Sequence, residues 1–172
     1  MIRTTLLLVL AGAVLAPSLA IHAQTAIEKP ASPACLPSAT VDQLPGALDD
    51  AISGPADKDR TCLRQLMMPD ARLVLMSDGA PRFLGVDDWI EAVSKRGSVV
   101  MFERQIKVVT ERFGGIAQLW CTYELRSTAD GKATVRGLNS IQAIFDGQRW
   151  RIVNVLWQAE TPADPIPDKY LP

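Results

Sequence analysis

The sequence predicts an α+β fold in which three short N-terminal helices precede a bent antiparallel sheet. Before Gly97, apolar residues recur at three- and four-residue spacing, and after it they alternate with polar residues over long runs. Asp130-Gly131 and Asp146-Gly147 separate these later runs, and an Asp-Gly pair between apolar runs is typical of a β-hairpin. Of the 172 residues, 48% are hydrophobic and 22% are charged, which suits one domain with its own core.

The charged residues are nearly balanced and are not clustered. The formal net charge is −1, so the chain lacks a basic surface of the kind that binds nucleic acid or an anionic membrane. The sequence also contains no glycine-rich phosphate loop and no paired cysteine ligand set. We therefore expect no nucleic-acid partner, no cofactor and no metal.

Residues 1–23 are typical of a secretory signal peptide. Arg3 precedes an apolar run from Leu6 to Ala16, which fits the ~7–15 residues of a signal core and falls short of the ~20 that span a bilayer. Small residues allow cleavage after Ala23 or, less favourably, after Ala20. We expect an exported protein, periplasmic or extracellular, with no membrane span once the signal is removed.

Cleavage after Ala23 would also remove the single histidine, His22. The mature chain would then have no imidazole for Ser-His-Asp or Cys-His catalysis, for general base chemistry or for the commonest zinc ligand sets. Histidine-dependent mechanisms are therefore excluded from the expected mature protein.

The three cysteines, Cys35, Cys62 and Cys121, are expected to meet an oxidising environment after export, where pairing is common. Cys121 falls inside a strand-like run, whereas Cys35 and Cys62 flank the first helical segment. We therefore predict a Cys35–Cys62 disulfide that pins the N-terminal arm to the domain. In the alternative, all three thiols stay free and buried.

The first elements are an extended arm and a helix. Residues 24–40 contain three prolines and no apolar periodicity, which predicts a proline-rich linker. From Val41 to Ile52 the apolar residues recur at helical spacing, which predicts an amphipathic helix that Gly54-Pro55 ends.

Two further helices are predicted, with a strand between them. The second helix runs from Asp57 to Met67, a strand follows from Ala71 to Met76, and Ser77 to Arg82 is expected to form a turn. The third helix runs from Val86 to Arg96, and Asp87 is its predicted N-cap.

Four long strand-like runs then predict an antiparallel meander. They cover residues 99–113, 116–127, 133–145 and 149–159. Because these runs exceed the usual strand of roughly 5–6 residues, the sheet must bend, commonly through bulges. A bent sheet forms a cup, and the three helices are expected to cap its concave face and enclose a cavity.

Alternation assigns the residues of these runs to two faces. In the first run, Phe102 and Ile106 fall on the apolar face, and Glu103 and Gln105 fall on the opposite face. The outer face also carries apolar residues, including Trp120, and we expect it to pack against a second copy of the chain as a homodimer.

This order of elements is accompanied by five short sequence motifs. They are Ala47 to Ile52, Met68-Pro69-Asp70-Ala71, Phe113-Gly114-Gly115-Ile116-Ala117, Arg136-Gly137-Leu138-Asn139-Ser140 and Asp146-Gly147-Gln148-Arg149-Trp150-Arg151-Ile152. In this combination the chain resembles the nuclear transport factor 2-like superfamily, and within it the small bacterial exported proteins grouped with ketosteroid isomerases and polyketide cyclases. The resemblance covers residues 41–160 and leaves a proline-rich C-terminal tail over residues 161–172.

The resemblance implies an α+β cone with a deep pocket in a protein that is often dimeric. The fold hosts isomerases, dehydratases, epoxide hydrolases and cyclases, so it does not select a reaction. The dehydratase-like members rely on histidine, whereas the isomerase-like members use a carboxylate base with tyrosine or protonated acid donors. Tyr123 and Glu103 are residues of the right types, but no catalytic residue is carried over to this chain.

Five residues are candidates for lining the pocket. Tyr123 either donates a hydrogen bond to a ligand carbonyl or is a core aromatic residue, and Trp89 is either a core residue or part of the wall. Asn139 and Asn154 interrupt apolar runs, so they either face the pocket or bond to the backbone at a bulge. Arg104 either holds a ligand carboxylate or is turned outward by a bulge.

We therefore expect an exported pocket protein that binds a small, largely apolar molecule, with isomerase- or cyclase-like chemistry left open. The alternative is a non-catalytic module of the same fold that dimerises or docks a partner through its outer sheet face. An ordinary hydrolase would need a nucleophile and a base that the sequence does not supply without histidine.

Overall fold

The computed structural model describes residues 34–77 and 79–172. The predicted signal peptide, with its cleavage site at Ala23, and residues 24–33 of the predicted linker lie outside the described residues. No helix within the described ranges is both long and apolar enough to cross a membrane.

Three short helices begin the described fold, in the predicted order. They are α1 (Leu44–Ile52), which follows a 3-10 turn at Val41–Gln43, α2 (Thr61–Leu66) and α3 (Val86–Ser94). Helix α2 is shorter than predicted because the Asp59 carboxylate accepts the backbone N–H of Thr61, 2.8 Å away, where the helix begins. The chain is already extended at Met67, where the helix ends.

The N-cap of α3 is Gly85, so the prediction of Asp87 was wrong. The Asp88 carboxylate accepts the backbone N–H of Gly85 at 3.0 Å and closes the first turn. Asp87 instead lies in the first turn and pairs with Arg64 of α2 at 2.7 Å. This ion pair links two of the three helices at the surface.

Within the described residues, seven strands form one bent sheet in the order β1-β4-β5-β6-β7-β2-β3. Numbered along the chain from β1 to β7, the strands are Gly54–Pro55, Met67–Ser77, Ala80–Leu84, Val100–Phe113, Ile116–Arg126, Val135–Phe145 and Trp150–Ala159. Strands β4 to β7 are the predicted meander, and β2 joins β7 in parallel. The predicted turn from Ser77 to Arg82 is in part strand β3, whose residues are mostly exposed and therefore lack the alternation that marks a half-buried strand.

A bulge in β4 reverses the alternation that the sequence suggests. Gln105 pairs with Tyr123 but Lys107 pairs with Thr122, so Ile106 is an extra residue in β4. Before the bulge, the side chains of Glu103 and Gln105 lie on the concave face of the sheet, which is the face towards the helices. The expectation that these two side chains point away from the core was therefore wrong.

The core fills the space between the helices and the concave face of the sheet. Its largest fully buried apolar side chains are Leu44, Leu63, Met67, Leu119, Ile141 and Ile152. The predicted Cys35–Cys62 disulfide is present and joins the N-terminal arm to α2. Cys121 is free and buried in strand β5, and burial raises the pKa of its thiol to about 12, so it is expected to stay protonated and unreactive.

The C-terminal tail, residues 161–172, packs on the convex face of the sheet, which is the face opposite the helices. Tyr170 stacks on Trp120 with ring centroids 5.3 Å apart, and the Thr122 hydroxyl donates to the Tyr170 carbonyl at 2.5 Å. Ile166 is also buried. Part of the face that was expected to pack against a second copy is therefore covered by the chain's own tail.

Candidate functional site

A cavity of about 140 Å³ lies between the helices and the concave face. Apolar side chains form most of its wall, and four polar residues complete it: Leu48, Ile52, Leu73, Leu75, Trp89, Met101, Leu125, Val155 and Trp157, with Arg96, Glu103, Tyr123 and Asn139. An apolar cavity of roughly 150 Å³ holds benzene, whereas drug-sized ligands occupy roughly 300–1,000 Å³. The cavity therefore has room for a molecule of about one ring.

One buried arginine holds the helical wall in place. The Arg60 guanidinium donates to the carbonyl oxygens of Ala51, Ser53 and Pro55, each at 3.0 Å, and it lies 5.9 Å from the ring centroid of Trp89. The carbonyls at a helix C-terminus have no partner within the helix, so Arg60 satisfies the end of α1. The same side chain supports Trp89, which lines the cavity from α3.

The polar end of the cavity is a hydrogen-bonded cluster around Glu103. The side-chain amides of Asn139 and Gln105 both donate to Glu103 Oε1, at 3.0 Å and 2.8 Å. Gln105 also binds Asp49 of α1, through its backbone N–H to Oδ2 and its side-chain amide to Oδ1, each at 2.9 Å. Asp49, Gln105, Glu103 and Asn139 thus connect α1, β4 and β6.

The backbone of Glu103 is fixed as well. Its N–H donates to Ser53 Oγ at 2.9 Å, and the Ser53 hydroxyl donates back to the Glu103 carbonyl at 3.3 Å. Ser53 directly follows α1, which Arg60 caps. Strand β4 and the end of α1 are therefore hydrogen-bonded to each other at the residue whose carboxyl, that of Glu103, extends into the cavity.

The two carboxyl groups of the cluster are easier to protonate than usual. Burial raises the pKa of Glu103 from 4.5 to about 7, against the hydrogen bond from Asn139 and with the added repulsion of Asp49. Burial also raises the pKa of Asp49 from 3.8 to about 6, against its hydrogen bonds from Gln105. Near neutral pH, Glu103 therefore exists in both protonation states, as a general acid or base requires.

Tyr123 presents a neutral phenol to the same cavity. Burial raises the pKa of this phenol, and the charge of Glu103 raises it further, so the hydroxyl remains a proton donor. The phenol lies against Gly137 of β6, where any Cβ would collide with the Tyr123 oxygen. Among the residues that the structure describes, the Tyr123 hydroxyl has no hydrogen-bond partner, so it is available to a ligand.

The structure brings three of the five predicted pocket residues together. Trp89, Tyr123 and Asn139 line the cavity. Arg104 is exposed and lies opposite Glu124 of β5 on the convex face, because it directly follows the inward-facing Glu103. Asn154 is the strand neighbour of the cavity residue Val155 and so faces away; its buried side-chain oxygen has no partner among the described residues.

Sequence reasoning missed Asp49, Gln105 and Arg96, and it placed Glu103 on the wrong face. Asp49 lies one helical turn before Ile52, which lines the cavity. This spacing was a usable signal. The bulge that turns Glu103 inward had no signal of its own, although the length of the run made a bulge somewhere expected.

No metal site accompanies this cluster. Within residues 34–77 and 79–172, no three histidine, cysteine, aspartate or glutamate side chains lie close enough together to hold a metal ion.

The arrangement of three helices over a bent antiparallel meander, with a polar cluster inside an apolar cavity, is the nuclear transport factor 2-like fold. An NTF2-like protein of unknown function from Silicibacter pomeroyi matches with a TM-score of 0.53 and 18% identity, over 70% of this chain and 92% of that one. This comparison confirms the fold that the sequence predicts.

Two further solved structures have the same fold. A protein from Kribbella flavida matches with a TM-score of 0.53 and 15% identity, over 70% of this chain and 88% of that one. An NTF2-like protein of unknown function from Shewanella baltica matches with a TM-score of 0.51 and 10% identity, over 70% and 91%. No family model matches the chain, and no curated protein is significantly similar to it in sequence.

Proposed function

We propose that this protein binds a small, largely apolar carbonyl compound in the cavity and that Glu103 transfers a proton on it. One observation carries the proposal: the Glu103 carboxyl and the unpartnered Tyr123 hydroxyl face the same, otherwise apolar cavity. The resemblance to isomerase-like members, which use a carboxylate base with a tyrosine donor, supports the same assignment. Proton abstraction next to a carbonyl is the reaction class that this pair fits.

The hydrogen bonds of Glu103 indicate which of its oxygens would act. Oε1 accepts from both Asn139 and Gln105, whereas Oε2 accepts no hydrogen bond from another described residue. Oε2 is thus the oxygen that can take a proton from carbon. The two bonds to Oε1 hold the carboxyl in one orientation, which lowers the cost of alignment.

The proton balance is that of an isomerisation. The Glu103 carboxylate takes a proton from the carbon between a carbonyl and a double bond, and an enolate forms. Tyr123 donates a hydrogen bond to the enolate oxygen and keeps its proton. Glu103 then returns the proton to the far end of the conjugated system, so the product is an isomer and no co-reactant is needed.

The test is the conversion of 3-cyclohexenone to 2-cyclohexenone, a one-ring probe, followed by ultraviolet absorbance. We expect kcat/KM to rise with pH, with its midpoint near pH 7, and Glu103→Gln to lower it roughly 100-fold or more. Tyr123→Phe should cost about 10–100-fold through loss of the enolate donor. The exposed Glu111→Gln is the matched control and should leave the rate unchanged.

Turnover that is unaffected by Glu103→Gln would refute the role of this carboxyl. If the wild-type protein binds cyclohexanone but does not convert the enone, binding stands and proton transfer is refuted. Quenching of tryptophan fluorescence reports the binding step, because Trp89 and Trp157 line the cavity.

A second candidate function is a non-catalytic interaction module. The hairpin between β4 and β5 carries Phe113, which is 84% exposed, and Ile116, which is 59% exposed. Both side chains line a surface groove beside the hairpin that is separate from the cavity. Large exposed apolar side chains in one place favour association with a second copy of the chain.

A further inference from the structure

The cavity contains a cationic group that proton transfer at Glu103 does not require. Arg96 follows the end of α3, and its backbone N–H donates to the Val93 carbonyl at 2.9 Å, which fixes the turn. The Arg96 side chain lines the cavity, yet the residue is exposed, whereas Tyr123 and Asn139 are almost fully buried. Arg96 therefore lies at the open end of the cavity, and Tyr123 and Asn139 lie at its closed end.

No described residue neutralises the guanidinium of Arg96. In the part of the chain that the structure describes, Arg96 has no ion pair and no side-chain hydrogen bond. The nearby acid Glu91 is already paired with Lys95 at 2.5 Å. An arginine fork matches a carboxylate with two parallel hydrogen bonds, so this group is suited to an anion that enters the cavity.

From these observations we infer that the ligand is a small carboxylic acid, with its carboxylate at Arg96 and a single ring or short branched chain between Trp89 and Trp157. The inference rests on the proposed function, because it concerns the ligand of the same cavity. The volume of about 140 Å³ admits one ring beyond the carboxylate and excludes a fused multi-ring body.

The charge distribution sets the direction in which such a ligand binds. A ligand carboxylate at the closed end would meet Glu103 and, through Gln105, Asp49, and two like charges in a desolvated site repel each other. The same carboxylate at Arg96 is attracted and remains partly hydrated. A carbonyl on the other end of the ligand then faces the Tyr123 hydroxyl.

Phenylacetate and phenylacetamide test the inference, because they share one ring and differ in charge. We expect the wild-type protein to bind phenylacetate about tenfold more tightly than phenylacetamide by isothermal titration calorimetry. Arg96→Gln should abolish this preference, chiefly by weakening the binding of phenylacetate. The matched control is Arg82→Gln, an exposed arginine of β3 outside the cavity, which should retain the preference.

A two-ring probe tests the size limit. We expect 1-naphthylacetate to bind at least about tenfold more weakly than phenylacetate in wild type, because its second ring exceeds the cavity.

The outcomes separate the inference from the proposed function. Equal affinity for phenylacetate and phenylacetamide in wild type overturns the inference, and binding of both probes then still supports a pocket protein. A preference that survives Arg96→Gln overturns the role of this arginine. If neither one-ring probe binds to the wild-type protein, both the inference and the binding function are refuted.

Discussion

On the two faces of the β4–β7 meander, two neighbouring buried hydroxyl groups differ in their hydrogen bonding. On the convex face, the Thr122 hydroxyl is fully buried and donates to a carbonyl of the tail. On the concave face, its neighbour Tyr123 is equally buried, yet no described residue accepts a hydrogen bond from its hydroxyl. Burial alone therefore does not show whether a polar group has a hydrogen-bond partner, and the Tyr123 hydroxyl is a buried group beside the cavity that lacks one among the described residues.

Two glutamate carboxyls, one at the surface and one in the cavity, differ in a similar way. Glu160, at the end of β7, is paired with Arg136 at 2.7 Å, and this hydrogen bond lowers the pKa of its carboxyl. Glu103 has only amide donors, and burial raises its pKa to about 7. The protein therefore favours the charged form of the Glu160 carboxyl at its surface and the neutral form of the Glu103 carboxyl in its cavity. The raised pKa of Glu103 costs stability when this carboxyl is ionised, which fits the proton transfer proposed for it.

The largest expected effect is on the close contact between β5 and β6. Gly137→Ala should destabilise the protein by about 2–3 kcal/mol, because the new methyl group would collide with the Tyr123 phenol and the Gln158 carbonyl. Gly46→Ala in α1 is the control, since nothing lies within 4 Å of its added Cβ, and it should be neutral or stabilising. Urea unfolding of the three proteins measures the difference. Equal stability of both variants would contradict the tight packing of this phenol.

The next effect concerns the charge of Glu103. Because the folded protein raises the pKa of this carboxyl from 4.5 to about 7, it binds the proton more tightly than the unfolded chain does. Stability is therefore expected to fall as pH rises through this window. Glu103→Gln removes this ionisable carboxyl. The variant should therefore be more stable than wild type by about 1–2 kcal/mol at pH 8, with no such gain at pH 4.5.

Denaturant unfolding at the two pH values checks this prediction. Asp49, whose pKa is also raised, remains in both proteins, and because it repels the Glu103 carboxylate, part of the gain at pH 8 is the relief of this repulsion. A gain of the same size at pH 4.5 and at pH 8 would mean that packing, not ionisation, causes the change.

The smallest expected effect is on association through the convex side of the molecule. If the exposed hairpin mediates dimerisation, Phe113→Ser should raise the dimer dissociation constant about tenfold, measured by sedimentation velocity, with little change in monomer stability. Phe83→Ser is the control, because Phe83 is also exposed, at 66%, but lies on the edge strand β3. A wild-type protein that stays monomeric at high concentration would exclude the hairpin dimer.

Much of the fold was predictable because its signals are local. The helices that bury Leu48 and Trp89 follow from helical spacing, and the hairpin at Asp146-Gly147 follows from its turn residues. Strand β3 was not predictable in this way, because its mostly exposed residues carry no alternation. The disulfide between Cys35 and Cys62 could be predicted once export was assumed and Cys121 was assigned to a strand.

The candidate site was predictable only in part. Tyr123 was a candidate because of its hydroxyl and Asn139 because it interrupts an apolar run, and both line the cavity. Arg104 was a pocket candidate unless a bulge turned it outward, and Glu103 was expected on the opposite face. The bulge at Ile106 places Glu103 on the concave face and Arg104 on the convex one. A strand's faces can be read from sequence only up to its first irregularity.

The sequence by itself determined the α+β class, the order of helices and strands and the disulfide, because periodicity, turn residues and cysteine positions act over short distances. The tertiary structure decided which side chains meet in the candidate site and under the tail. Asp49 and Gln105 are 56 residues apart yet share two hydrogen bonds, and Thr122 meets Tyr170 across 48 residues. Such pairs depend on the register and bulges of the folded sheet, which arise from packing of the whole domain and leave no local pattern in the chain.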